Sequence, residues 1–229
     1  MNTMFQLTRS GMVFSGSDAD LEAARDHFQR NDWIRFPSIL NRELWDMIQH
    51  QLAASNLEGK SASIYPEFNV SDGTLILLLN NERFFRLIER ITQCGHIGSL
   101  RGRIYRIVPG ANDHADHNEY QAPYEILTGW HTDLNETRLL ALSINLNTEP
   151  YHGGLLSMRE AKTKRMLCEL PNPVFGDAIL FRVDERLEHR VSNVDGTVPK
   201  IAFSGWFESQ PDYRTLIAEG IARSLRRTV

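Results

Sequence analysis

Two histidines and an aspartate carry the first chemical signal. His131 and Asp133 stand two apart in Gly129-Trp130-His131-Thr132-Asp133. In an extended strand alternate side chains share a face, so both can reach one metal ion. A second imidazole, His189, arrives 58 residues later in Glu188-His189-Arg190-Val191. Two imidazoles and one carboxylate on one side of a metal suit non-haem Fe(II) and leave three coordination positions open for a co-substrate and oxygen. Downstream, Lys200, Ala202, Ser204 and Trp206 alternate onto one face of a further strand. A lysine turned into a folded interior is costly unless it meets an anion. A metal triad with an inward cation one strand away describes a site for a dicarboxylate that chelates the metal at one end.

Strands must hold these groups, and the chain supplies them after a helical first third. Ser17-Asp18-Ala19-Asp20 gives capping residues to an amphipathic helix through Phe28. Trp33-Ile34-Arg35-Phe36 reads as a short strand closed by Pro37, and Asn41 caps a helix bearing Leu44, Trp45, Ile48 and Leu52. Residues 1–16 read as an entry strand or arm, the polar region 54–82 has no assignment, and Arg83 to Thr92 reads as a third helix. After Gly98 the texture changes to short strands parted by turn residues: 100–108, 126–133, 138–147, 154–159, 165–170, 177–182, 188–194 and 200–208. Eight such strands predict a mainly β fold with a helical N-terminal part, a double-stranded β-helix (jelly-roll, cupin-like) barrel flanked by helices. Helices packed on one sheet would explain why 138–147 is apolar on both faces. The expectation is one domain: a helical support region at 1–99, a jelly-roll core at 100–208 and a C-terminal helix at 209–229.

Composition narrows the function classes. At 229 residues and 41% hydrophobic content the chain can bury a sizeable core. A net charge of −4 and the lack of a long basic run give no electrostatic footprint for nucleic acid. Two cysteines, Cys94 and Cys168, fit free thiols in a reducing compartment. The apolar run Leu75-Ile76-Leu77-Leu78-Leu79 is too short for a bilayer, and no basic-then-apolar leader opens the chain. The expectation is a cytoplasmic protein with no membrane partner; the sequence carries no sign of oligomeric state.

Ordered elements then resemble a known family. Tyr105-Arg106-Ile107-Val108-Pro109-Gly110, Trp130-His131-Thr132-Asp133, Arg138 opening Leu142-Ser143-Ile144-Asn145-Leu146-Asn147, Gly153-Gly154-Leu155, Pro173 to Phe181, His189-Arg190-Val191 and Lys200 with Trp206 follow one another in this order. The chain resembles the 2-oxoglutarate/Fe(II)-dependent dioxygenase superfamily, its prolyl-hydroxylase-like and phytanoyl-hydroxylase-like branches above all, over roughly half its length. The resemblance implies that His131, Asp133 and His189 ligate Fe(II) and that Lys200 binds the distal carboxylate of 2-oxoglutarate. It places Tyr105, Asn145 and Ser204 as hydrogen-bonding groups near the co-substrate; Asn145 stands where some relatives carry a tyrosine. Lysine in place of the commoner arginine gives a point charge instead of a fork. A rival pair, His114-Ala115-Asp116, lies nine residues after Tyr105. Arg138 and its strand, seven residues beyond His131, favour His131 and Asp133.

The implied activity is an oxidoreductase that consumes O2 and 2-oxoglutarate to hydroxylate an unactivated C–H bond of a small molecule such as an amino acid or biosynthetic intermediate. A hydroxylase or demethylase of a peptidyl or nucleic-acid substrate is the alternative within the same chemistry. A non-catalytic cupin-like metal-binding barrel is the alternative outside it. The segment from Ala111 to Glu125 is long for a connector and holds His114, His117, Tyr120 and Tyr124 among acidic residues. His114, His117 and Tyr124 are therefore expected to face substrate as a lid, together with Trp206.

Overall fold

Ser17 starts the first helix by reciprocal capping. Its hydroxyl accepts from the Asp20 N–H at 3.2 Å, while the Asp20 carboxylate accepts from the Ser17 N–H at 2.8 Å. In the computed structural model, which describes residues 3–54, 78–109, 129–216 and 218, the order begins with β1 (Phe5–Thr8), β2 (Gly11–Phe14), α1 (Asp18–Asn31), β3 (Trp33–Phe36), α2 (Arg42–Ala54) and α3 (Glu82–Thr92). It continues through β4 (Ser99–Ile107), β5 (Arg138–Asn145), β6 (His152–Gly153), β7 (Leu156–Glu160) and β8 (Met166–Leu170). The last strands are β9 (Ala178–Arg182), β10 (Leu187–Val191), β11 (Val194–Asp195) and β12 (Lys200–Glu208). The entry segment is a hairpin, with β1 paired to β2.

Five antiparallel strands in the order β3-β9-β5-β12-β4 form the main sheet, and β10-β7-β8 form the second. A two-stranded ladder joins β11 to β6. The fold is mainly β with antiparallel sheets and few helices, as expected in outline, and among the described residues the strand pairing gives separate sheets and no closed barrel. The expected strand 126–133 is also reduced. Residues 126–128 lie outside the described residues, and of the rest only His131 pairs, by a single antiparallel bridge to His189. The segments 55–77, the lid candidates His114, His117 and Tyr124, and most of the expected C-terminal helix likewise lie outside the described residues.

Period-two alternation explains how β5 serves two layers. Leu140, Leu142 and Ile144 join Phe203 and Phe207 of β12 and Leu180 of β9 against Leu21, Ala24 and Phe28 of α1 and Phe84, Ile88 and Ile91 of α3. On the opposite face Ala141 packs with Ile179, Phe181, Leu156, Met158 and Leu187, between the two sheets. Gly102 and Gly205 sit opposite one another on β4 and β12, where a Cβ on either would meet the Phe203 ring, at 2.5 and 2.9 Å. The apolar layer under the helices therefore fixes the main sheet, and the other face is left for the site. No described helix is long and apolar enough to cross a membrane.

Asp177 ties β3 to the turn before β9. Its carboxylate, buried, accepts from Arg35 Nε at 3.1 Å and from the Ser38 N–H at 2.9 Å. Asp177→Ala is expected to lower unfolding stability by about 1.5–3 kcal/mol, the range for hydrogen bonds to a charged group. Urea denaturation followed by circular dichroism checks this; an unchanged midpoint would mean that the ion pair adds nothing.

Candidate metal centre and co-substrate pocket

His131 and His189 are held by their own backbones. The His131 N–H donates to the His189 carbonyl at 3.0 Å and the His189 N–H to the His131 carbonyl at 2.9 Å. This is a hydrogen-bonded antiparallel pair, which sets the two side chains next to each other; their ring centroids are 4.4 Å apart. Trp130, one residue before, packs on the far side between the guanidinium groups of Arg159 on β7 and Arg190 on β10, at 4.2 and 4.7 Å from its ring centre. That contact and the backbone pair together turn His131 toward His189. His131 Nδ1 lies 2.9 Å from the Gly129 carbonyl, to which it can donate, leaving Nε2 with its lone pair outward.

Asp133 completes the group, and the ligand atoms of His131, Asp133 and His189 all lie within 4.8 Å of one another. Asp133 Oδ2 is 3.3 Å from His189 Nε2, and Oδ1 is 4.0 Å from His131 Nε2. The three side chains are only 12–17% exposed. Burial pushes the Asp133 carboxyl up, but His189, the Trp206 N–H and His131 outweigh it and hold the group at about 2. Burial and the charge of His189 push the His131 imidazole down, against the pull of the Gly129 carbonyl and Asp133. A carboxylate ionised at neutral pH beside an imidazole biased toward its neutral form is the protonation a metal ion requires. Two nitrogens and one oxygen form a donor set that fits Fe(II).

A cavity of about 60 Å³ runs from these three residues to Lys200. Ser204 and Trp206 of β12 line it with Ser143, and Ser143 is the register partner of Ser204. Leu156, Leu170, Ile179, Phe181 and Val191 supply apolar walls, and Asn172 adds a polar one. Lys200 is 5% exposed and donates from Nζ to the Gly154 carbonyl at 2.6 Å. Among the described residues no carboxylate pairs with it. Gly154 adopts φ +61°, and a Cβ there would stand 2.9 Å from Lys200 Cδ, so the glycine makes room for the lysine stem. Gly153-Gly154 is thus more than a turn.

Burial pushes the Lys200 ammonium down to about 8 from the usual lysine value near 10.5. The native state therefore binds fewer protons than the unfolded chain between these values, so stability rises with pH there. Below pH 8 the buried charge costs the fold about 3 kcal/mol. A carboxylate bound at Lys200 needs the protonated form. Affinity for 2-oxoglutarate is expected to be flat below pH 8 and to fall about tenfold per pH unit above it; calorimetric titrations across pH 6.5–9.5 check this, and a flat profile through pH 9.5 would refute it.

The other expected residues are distributed as follows. Tyr105 of β4 pairs with Ala202 of β12, two positions from Lys200, and its side chain lies outside the described residues. Asn145 is fully buried at the end of β5, also opposite Ala202, but does not line the cavity. Its Oδ1 accepts from the Asn147 N–H at 3.1 Å, and its Nδ2 has no partner among the described residues. Trp206 lines the cavity with its indole N–H on Asp133 Oδ2 at 2.7 Å. Asn172 was not legible as a cavity residue: its side chain is buried, Nδ2 donates to the Asp177 carbonyl at 3.3 Å and Oδ1 has no partner among the described residues. A lone asparagine after a strand carries no spacing signal that could have found it.

Residues 105–208 match a family model described as the 2OG-Fe(II) oxygenase superfamily. No curated protein matches the chain. Among solved structures, a prolyl-4-hydroxylase from Pseudomonas putida is similar at 17% identity, covering 83% of this chain and 92% of the other, with a TM-score of 0.55. A 2OG-Fe(II) oxygenase family oxidoreductase from Burkholderia pseudomallei is 14% identical over 86% of this chain and 94% of the other, with a TM-score of 0.59. A Trichoplax adhaerens prolyl hydroxylase, solved with a peptide fragment of the hypoxia inducible factor oxygen degradation domain, is 14% identical over 84% and 90%, with a TM-score of 0.58. At these identities the likeness speaks for the fold.

Proposed function

We propose that this chain, whose residues 105–208 match the 2OG-Fe(II) oxygenase superfamily, is a dioxygenase using Fe(II), 2-oxoglutarate and O2 that hydroxylates an unactivated C–H bond of a small molecule such as an amino acid or biosynthetic intermediate. The observation that carries this reading is the shared cavity, with the His131, Asp133 and His189 group at one end and, at the other, the cation of Lys200, which among the described residues meets no carboxylate. We take the two facing sheets as the halves of a jelly roll, with the site between them.

In this reading His131, Asp133 and His189 hold Fe(II), and Lys200 neutralises the distal carboxylate of 2-oxoglutarate. Fe(II) bound there supplies the redox chemistry by which O2 and 2-oxoglutarate yield succinate, carbon dioxide and a hydroxylated carbon. The residues of the chain do the rest. The walls formed by Leu156, Leu170, Ile179, Phe181 and Val191 exclude bulk water, which strengthens the attraction between Lys200 and its anion. Ser143 and Ser204 offer hydroxyls along the same cavity. Net negative charge and the lack of a basic stripe support a small substrate over a nucleic acid.

The test is succinate release from 2-oxoglutarate with added Fe(II) in air, first alone and then with a panel of free amino acids, proline-containing peptides and methylated oligonucleotides. Release above background with members of the small-molecule set supports the proposal. Stimulation by the peptides or oligonucleotides alone would reassign the substrate. No release under any condition would favour a non-catalytic metal-binding barrel.

A further inference from the structure

We propose that Trp206 is a positioning residue for the metal's carboxylate ligand: its indole N–H fixes the rotation of Asp133, so that the carboxylate offers the metal one oxygen. The inference rests on the reading of His131, Asp133 and His189 as metal ligands, and it concerns what keeps three coordination positions open.

Asp133 differs from the two histidines in how it is held. The histidines share a backbone ladder, whereas Asp133 lies in irregular chain between His131 and the start of β5. Its carboxylate must be oriented by side chains. Trp206 comes from the centre of the main sheet, paired on one side to Arg101 and on the other to Ala141, so its backbone is fixed. From there Nε1 reaches Asp133 Oδ2 at 2.7 Å, a short, charge-assisted bond. Arg138 closes the arrangement. Its guanidinium lies 3.9 Å from the indole ring centre, and Nη1 donates to the Asp133 main-chain carbonyl at 3.1 Å. The indole is thus clamped by a cation on its face while its edge is spent on the carboxylate.

The chemistry gives this contact a purpose. A carboxylate that turned both oxygens to the metal would occupy two positions and leave two. A keto acid chelating through two atoms would then fill the site and exclude oxygen. With one oxygen held by an indole N–H, a rotation that turned both oxygens to the metal would bend or lengthen that bond and is disfavoured. Outer partners of metal ligands are known to govern affinity by about 10–100-fold.

The test uses Co(II) in place of Fe(II), with binding read by visible absorption, whose shape and intensity report coordination number. Trp206→Phe keeps the ring and removes the N–H. The expected result is Co(II) binding weakened about 10–100-fold with an altered spectrum, and a weaker spectral response to 2-oxoglutarate. An altered spectrum at unchanged affinity also supports the proposal. An unaltered spectrum, whether or not affinity falls, would overturn it and leave Trp206 as cavity wall. Should Trp206→Phe fail to fold, the wild-type protein decides: with Zn(II) bound, the Trp206 indole proton should stay hydrogen-bonded and slow to exchange in NMR spectra. Free exchange on Zn(II) loading would overturn the proposal. Co(II) uptake that is indifferent to His131→Ala would overturn the metal reading itself, and with it this role.

Discussion

Alanine at His131 or at His189 is expected to reduce turnover to background while the protein stays folded. Each histidine contributes its imidazole to the ligand group and its backbone to the mutual pair, and alanine removes only the former. The sheet bonds therefore persist, and the Phe181 ring loses a single neighbour, since it stands 4.8 Å from His189. Loss of one of three ligands should weaken Fe(II) or Co(II) binding by more than the roughly 10–100-fold seen for outer-shell changes. Metal titration, succinate assays and a thermal melt on each variant check this. Near-full activity in either variant would sink the assignment and return His114, outside the described residues, as a candidate ligand.

Lys200→Ala should raise the dissociation constant for 2-oxoglutarate about 30- to 5000-fold, the equivalent of the roughly 2–5 kcal/mol lost when one partner of a desolvated charge pair is removed. Fe(II) affinity should hardly change, because the metal group sits at the other end of the cavity. Lys200→Arg should recover part of the affinity. Full recovery is not expected, because Gly154 and the Tyr151 ring, 5.7 Å from Nζ, are packed around a lysine-sized stem. Calorimetry with 2-oxoglutarate and a parallel metal titration separate the two affinities. An unchanged 2-oxoglutarate affinity in Lys200→Ala would move the anion site elsewhere, with Arg138 next in line.

Much of this was legible because the decisive signals are local. Ser17 and Asp20 mark a helix start in four residues, and the buried faces of α1 and α3 follow from helical spacing. The double-sided apolarity of residues 139–146 anticipated a strand between helices and a second sheet. The His-x-Asp pair and the alternation after Lys200 pick out residues that line one cavity. The unread parts depend on pairing at a distance. The β1–β2 hairpin is four residues a side, too short for a periodic signal. Among the described residues the segment at His131 is ordered by a bridge and by Trp130 between two arginines, neither of which leaves a strand-like pattern. Asn172, Phe181 and Ser143 reach the cavity through tertiary placement alone.

The mutual backbone bonds of His131 and His189 also bear on how such a site changes over evolutionary time. Main-chain pairing is indifferent to the side chains it presents, so the two positions persist as places whatever residues occupy them. Asp133 has no such guarantee, since its hold comes from Trp206 and Arg138. The scaffold thus divides into a conservative half, where a histidine can be exchanged without disturbing the frame, and a permissive half, where the carboxylate and its supporters must change in concert. Diversification of the chemistry is then easiest along the Asp133–Trp206–Arg138 edge, with the paired histidines as the part a lineage can leave alone.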